Sequence, residues 1–268
     1  MNFESAPIIE KWYRALGFDK KYDPEFYEAL RTIPISADTD AASYDYDCQD
    51  GKKNLLSFLY MCEAVAEQYW KKGISTEILM DTLSDIVRWS KVWSEITGEL
   101  CLFEIGWLYL HMRLRLFTLG RLQFCIETAT EQMAQYGMTV GESYISIHIP
   151  SGGPLQLEEC KASLEMARSF FDKYFPDLKY SWFSCNSWLL DESLQKLLPP
   201  ESNILQFAAL FRVVGKVQSD DIIRFVFRWD ANRENIDNWN CSSGFAKKVK
   251  ACVAQGQIFY QTRGLLPK

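Results

Sequence analysis

Apolar residues in the first hundred positions recur every three to four places. Leu55, Leu59, Cys62, Ala66 and Tyr69 make one stripe, flanked by Phe58, Val65 and Trp70, which is the period of an amphipathic helix. Lys71-Lys72-Gly73 ends it with cations in the last turn and a glycine beyond. Ser75 reads as the cap of a further helix striped by Leu79, Leu83, Ile86, Val87, Trp93 and Ile96 and closed by Gly98. Upstream, Pro7 opens a short amphipathic run that ends at Gly17. Asp23-Pro24-Glu25 marks another start, with Asp as cap and Pro in the first turn. The stretch from Asp38 to Asp50 is acidic and loop-like. Asp45, Asp47 and Asp50 raise the question of calcium, but an EF-hand beginning at Asp45 needs Gly at position 50 and Glu at position 56. Leu56 stands at the latter, so a solvated loop is the preferred reading.

After Gly106 the texture changes. Trp107–Met112 is open to a helical continuation. Arg113-Leu114-Arg115-Leu116 and Leu122-Gln123-Phe124-Cys125-Ile126 alternate with the two-residue period of strands, and Gly120 between them reads as a bulge or tight turn. Tyr144–Ile149 is predicted as a strand with Ile145, Ile147 and Ile149 on one face and Tyr144, Ser146 and His148 on the other. A helix is expected over Leu157–Tyr174, a strand over Lys179–Trp188 and a short helix over Glu192–Leu198. Two further strands are expected over Ile204–Val214 and Ile222–Trp229, and a last helix over Ala246–Ala254.

Composition narrows the picture. Hydrophobic residues make up 48% of the 268 positions and charged residues 24%, as in an ordinary globular protein. Aromatics at 15% point to a large core or an apolar groove. The net charge of -6 argues against whole-protein attraction to nucleic acid or an anionic membrane. No secretory signal is read in Met1–Leu16, and apolar stretches fall well short of the ~18 residues a membrane span needs. The eight cysteines form no CxxC pair and the two histidines, His111 and His148, stand apart from them, so no metal site is expected. Free thiols in a reducing cytoplasm are the simplest reading.

The segment most suggestive of chemistry is the strand Tyr144–Ile149, the loop Pro150-Ser151-Gly152-Gly153-Pro154 and the helix after it. Glycines let backbone approach a ligand closely, and a helix start offers unpaired N–H groups to phosphate. The loop has neither the Gly-Lys-Ser/Thr ending of a Walker loop nor GxGxxG spacing, and an ordinary tight connection has the same pattern. His148 is a candidate base by its residue type, or a histidine that steadies the strand end. Cys185 and Ser187 share a face of the next strand. Each has a functional reading, as nucleophile and as acid or orienting hydroxyl, and a structural one, as inert core thiol and local hydrogen-bonding hydroxyl. Asp191 reads as a helix cap, Trp182 and Trp188 as core, and His111 with Arg113 and Arg115 as a structural junction.

Five runs together resemble a bacterial family of acyltransferase domain-containing proteins: Gly106-Trp107-Leu108 with Leu110-His111; Leu119–Phe124; His148–Leu155; Ser187–Asp191; and Leu197–Ile204. These proteins join an N-acyltransferase-type N-terminal domain to a GNAT-like C-terminal domain. The resemblance implies an α+β chain: a helical domain over 1–105, then a mixed, mostly antiparallel sheet flanked by helices over 106–268. It implies acyl-CoA or CoA as cosubstrate, held at Ile149, Ser151, Gly152 and Gly153. An amine acceptor would attack the thioester directly, with His148, Cys185 and Ser187 as candidate catalytic groups. The loop departs from the usual GNAT pattern of Gln or Arg, two residues, then Gly-x-Gly or Gly-x-Ala. A non-catalytic binding module and a Cys185–His148 thioesterase remain as alternatives.

Overall fold

The structure is a computed structural model that describes residues 5–45 and 48–268. Asp47, considered above as a cation ligand, lies outside them. The chain divides into two compact units at Thr118/Leu119.

The first unit is helical: α1 (Ala6–Ala15), α2 (Asp23–Thr32), α3 (Gly51–Lys72), α4 (Thr76–Thr97) and α5 (Ile105–Met112). Helix α3 is its axis and touches each of the other four. Leu55, Leu59, Cys62, Ala66 and Tyr69 are all buried, so the stripe read from the sequence is the packing face. Asp50 accepts hydrogen bonds from the Lys52 and Lys53 amides. Its carboxylate is therefore an N-cap. Gly73 and Gly98 end α3 and α4 in the left-handed region, at φ 72° and 81°, which glycine adopts without a Cβ penalty. The boundary expected at 105/106 follows the change of texture. The packing boundary falls later because α5 contacts α3 and α4.

The second unit is built on a six-stranded sheet. Its elements are β1 (Leu116–Leu119, which spans the division), β2 (Leu122–Thr128), α6 (Glu131–Ala134), β3 (Ser143–His148), α7 (Leu157–Tyr174), β4 (Tyr180–Ser187), α8 (Asn203–Ala208), β5 (Arg212–Gln218), α9 (Asp221–Val226), α10 (Gly244–Ala254) and β6 (Tyr260–Pro267). The strand order is β1-β2-β3-β4-β6-β5. Strands β3 and β4 pair in parallel, whereas β2/β3, β4/β6 and β5/β6 are antiparallel. This is the mixed, mostly antiparallel α+β architecture expected.

Four sequence expectations are corrected. Arg113–Arg115 is a turn, with Leu114 at φ 50°, and the strand starts only at Leu116. Ile204–Ala208 is helix, because the Ser202 hydroxyl caps it at the Leu205 amide; the strand there is Arg212–Gln218. Ile222–Val226 is also helix. Ile222 and Ile223 are both buried in one cluster while Phe225 is 50% exposed, so Ile223, Phe225, Phe227 and Trp229, whose two-residue spacing suggests a strand, do not share a face. Finally, the chain does not close on α10: β6 follows and lies between β4 and β5. Gly264 in β6 is required by close approach, since a Cβ there would lie 2.5 Å from Phe211 Cβ and 2.7 Å from Leu190 Cδ2.

Candidate functional site

Strands β3 and β4 run in parallel, and their recorded pairing ends at Ile147 and Cys185. Beyond that point β3 gives way to the loop 149–156 and then to α7. Ser151, Gly152 and Gly153 are exposed and Ile149 is half-buried. Gly152 sits at φ +106° with open space where a Cβ would be. Gln156 makes no side-chain cap to α7, so the first-turn amides face outward, where they suit an anion. Two carboxylates, Glu158 and Glu159, stand in that same turn. Glu158 is ion-paired to Lys161 at 2.8 Å.

The loop is held from behind. The turn between β1 and β2 carries Gly120 at φ +68°, where a Cβ would come 2.8 Å from Ser163 Oγ. Both facts require glycine. The Arg121 amide donates to Ser163 Oγ at 2.7 Å, docking the turn on α7. The Arg121 guanidinium then donates to three loop carbonyls: Nε to Pro154 at 2.9 Å, Nη1 to Pro150 at 3.0 Å and Nη2 to Gly153 at 3.0 Å.

Register decides which candidates meet. Phe124, Ile147, Cys185 and Gly264 are successive cross-strand partners and so share one face. On that face the Phe183 ring, two residues from Cys185, lies under the Arg168 guanidinium of α7 and edge-on to Phe124. Gln123 pairs with His148, and Asn186 with Arg263. His148 and Asn186 each follow directly on Ile147 and Cys185, the last residues paired between β3 and β4, so all four side chains lie on the opposite face. Ser146, Ser184 and Tyr144 join them there. Cys185 and Ser187 are thus separated from His148 by the thickness of the sheet. Cys185 is completely buried and burial pushes its thiol up to about 12, which keeps it protonated and inert at neutral pH. Ser187 Oγ accepts from the Leu189 amide at 3.2 Å, a local cap. A Cys185–His148 pair is therefore excluded by geometry, and the Cys185–His148 thioesterase alternative falls with it.

Around His148 the polar face carries groups that the sequence reading passed over. Gln123 and Ser184 are buried. Arg263 Nη1 donates to Ser184 Oγ at 3.2 Å. The Tyr144 hydroxyl is raised by burial and by Glu127, with Arg263 acting against both. Alternation alone separates Asn186 from Cys185, but only the pairing register places Asn186 beside His148. At the far end of the same strands, a cleft of about 490 Å3 is lined by Glu142, Ser143, Asp172, Lys179 and Lys268, among others. It lies away from the glycine loop, and the Lys268–Asp172 ion pair sits on its wall.

The other assigned residues are structural. Asp191 caps at the Ser193 amide and also accepts from the Tyr260 amide at 2.8 Å. Trp182 packs beside Tyr144 and Leu265, and Trp188 stacks on Phe245. His111 is fully buried in the helical unit, with Nε2 3.1 Å from Asp85 Oδ2. Asp85 also accepts from Trp107 Nε1 and pairs with Arg88. Burial lowers His111 to about 3, and with Arg88 already countering Asp85 the ring stays neutral. Among the described residues no group of three or more His, Cys, Asp or Glu could hold a metal ion. Among the described residues no helix is long and apolar enough to cross a membrane.

A helical unit followed by a mixed sheet, whose two parallel strands end beside a glycine loop and a helix start, defines a GNAT-type fold. The family model described as the GNAT-like C-terminal domain matches residues 116–266, and that of the N-acyltransferase N-terminal domain matches residues 8–114. The chain belongs to this GNAT-like family. Solved structures share the fold: an acyltransferase in complex with decanoyl-CoA and teicoplanin (TM-score 0.79), an acyltransferase mutant with octanoyl-CoA (0.78) and an acyltransferase with CoA and 10C-teicoplanin (0.78). Each is 22% identical, with 96% of this chain and 87% of that chain covered. Among curated proteins none matches.

Proposed function

We propose that the protein is an N-acyltransferase that takes an acyl group from acyl-CoA or a related thioester and passes it to a small amine or peptide amine. The observation that carries this reading is the joint end of β3 and β4 beside a glycine loop and an uncapped helix start. A thioester lying across the strand ends would place its pyrophosphate against Ser151, Gly152, Gly153 and the first turn of α7. Its carbonyl would lie near Ile149 and His148. The shared fold supports the reading, since the solved acyltransferases were crystallised with CoA, octanoyl-CoA or decanoyl-CoA. Teicoplanin in two of those complexes makes an amine on a large natural product a reasonable acceptor to try.

The chemistry needs no covalent enzyme intermediate. The neutral amine attacks the thioester carbonyl, a tetrahedral oxyanion forms, and the C–S bond breaks to release the CoA thiolate. His148 would accept the proton that the amine nitrogen loses, and a backbone amide near Ile149 would stabilise the oxyanion. Set on the other face, the buried Cys185 and the half-buried Ser187 take no part.

One observation favours a second reading, a binding module without acyl transfer: Glu158 and Glu159 occupy the turn that should receive phosphate. Calorimetry with CoA and acyl-CoAs of increasing length, followed by thiol release in the presence of amines, decides between the two. The proposal expects saturable thioester binding and amine-dependent release of CoA. Binding without release favours the module, and no binding of any CoA species removes both.

A further inference from the structure

We infer that Arg121 is a positioning residue that shapes the glycine loop into an anion-receiving surface and thereby sets affinity for the pyrophosphate end of the thioester. The inference rests on the proposed acyl-CoA reading. Two independent observations carry it. The first is the three-carbonyl clamp described above, which ties the end of β3 at Pro150 to the start of α7 at Pro154. A trans peptide sets its C=O and the following N–H on opposite sides, and the described residues contain no cis peptide bond. With the Pro150 and Pro154 carbonyls turned toward the guanidinium, the amides of Ser151 and Leu155 point away from it. The second is that, among the described residues, no backbone hydrogen bond is donated by the amides of Ser151, Gly152, Gly153 or Leu155. Carbonyl dipoles are thus gathered on one side of the loop and neutralised by a cation, while unused donors remain on the other side. Arg121 does not need to touch the ligand.

Lysine keeps that charge but lacks the planar fork that reaches three acceptors. The test therefore compares Arg121→Gln and Arg121→Lys with the unmodified protein on two donors: an acyl-CoA, and the matching acyl-pantetheine, which lacks the pyrophosphate. Both variants are expected to bind CoA about 10–100-fold more weakly, the loss typical of a misplaced binding group. Their turnover of acyl-pantetheine should stay within about twofold of wild type. Melting temperature, read in parallel, separates this from unfolding. Unchanged CoA affinity in Arg121→Gln overturns the inference, as does an equal loss with both donors in a variant that remains folded. If Arg121→Gln does not fold, Arg121→Lys carries the same comparison. Failure of the unmodified protein to bind or turn over either donor removes the acyl-CoA reading itself. Turnover of acyl-pantetheine without CoA binding removes only the role of Arg121.

Discussion

The two faces of strands β3 and β4 are made from the same short stretches of chain, yet they differ in kind. Toward α7, Ile145, Ile147, Phe183 and Cys185 are fully or almost fully buried, and their contribution is packing. Toward the other side, Ser146, Ser184 and Gln123 are buried as well, alongside half-buried His148, Asn186 and Arg263. Burying hydroxyls and amides gains little stability even when they are paired and costs free energy when they are not. A sheet face that concentrates them at the strand ends, beside a loop of unused amides, is arranged for something other than holding the fold. Titratable residue type is thus a weaker guide to function than the face on which the residue stands.

The sharpest way to break this contrast is His148→Gln, which keeps a polar side chain of similar reach. If the polar face is catalytic, turnover should fall by about 10²–10⁴-fold with little change in melting temperature. Full turnover would end the case for histidine base catalysis. His111 supplies the opposite control. Its folded pKa is depressed to about 3, so folding favours the neutral ring. That stability is present above the unfolded pKa of about 6.5 and is lost as pH falls, by about 1.4 kcal/mol per pH unit below that value. Urea midpoints at pH 7 and 5 should show a drop of about 2 kcal/mol in the unmodified protein and a smaller one in His111→Gln. An equal drop in both would deny His111 this role. The smallest effect is expected from Cys185→Ala, which should cost about 1–2 kcal/mol of stability by opening a small cavity. Turnover per folded molecule should stay unchanged; a collapse of activity there would erase the distinction between the faces.

Much of this was legible in the sequence, and the failures have physical causes. The helical stripe of α3, the caps at Ser75 and Asp191, the span of α7 and the strand expected over Tyr144–Ile149, found one residue earlier as β3, all rest on local signals, either periodicity within one element or a cap adjoining it. The helix at Ile222–Val226 carries a strand-like pattern because Ile223, Phe225, Phe227 and Trp229, each two apart, satisfy the strand period without being required to share a face. The composition of β6, Tyr-Gln-Thr-Arg-Gly-Leu-Leu-Pro, gives no clean alternation, because a strand sandwiched between two others is specified by its neighbours. The separation of Cys185 from His148 depends on how β3 registers with β4, which no local pattern encodes. Arg121 was visible as a residue after a turn glycine. Its three carbonyl partners lie 29 to 33 positions further along, beyond the reach of spacing rules.

The place of β6 has a consequence for how the second unit comes together. Its partners in β4 lie about eighty positions earlier, Cys185 opposite Gly264, and among the described residues β5 pairs with β6 alone. During synthesis β1 to β4 can associate as they emerge, but β5 must wait, unpaired, until β6 has left the ribosome. Such long-range closure is slow, because chain entropy is lost before the contacts that reward it form. Over that interval the exposed valines of β5, Val213 and Val217, sit on an open strand edge, the kind of surface on which chaperones act and nascent chains aggregate. Completion of the fold thus hinges on the strand furthest along the chain, whereas the helical unit, built from contacts among its own residues, can form well before it.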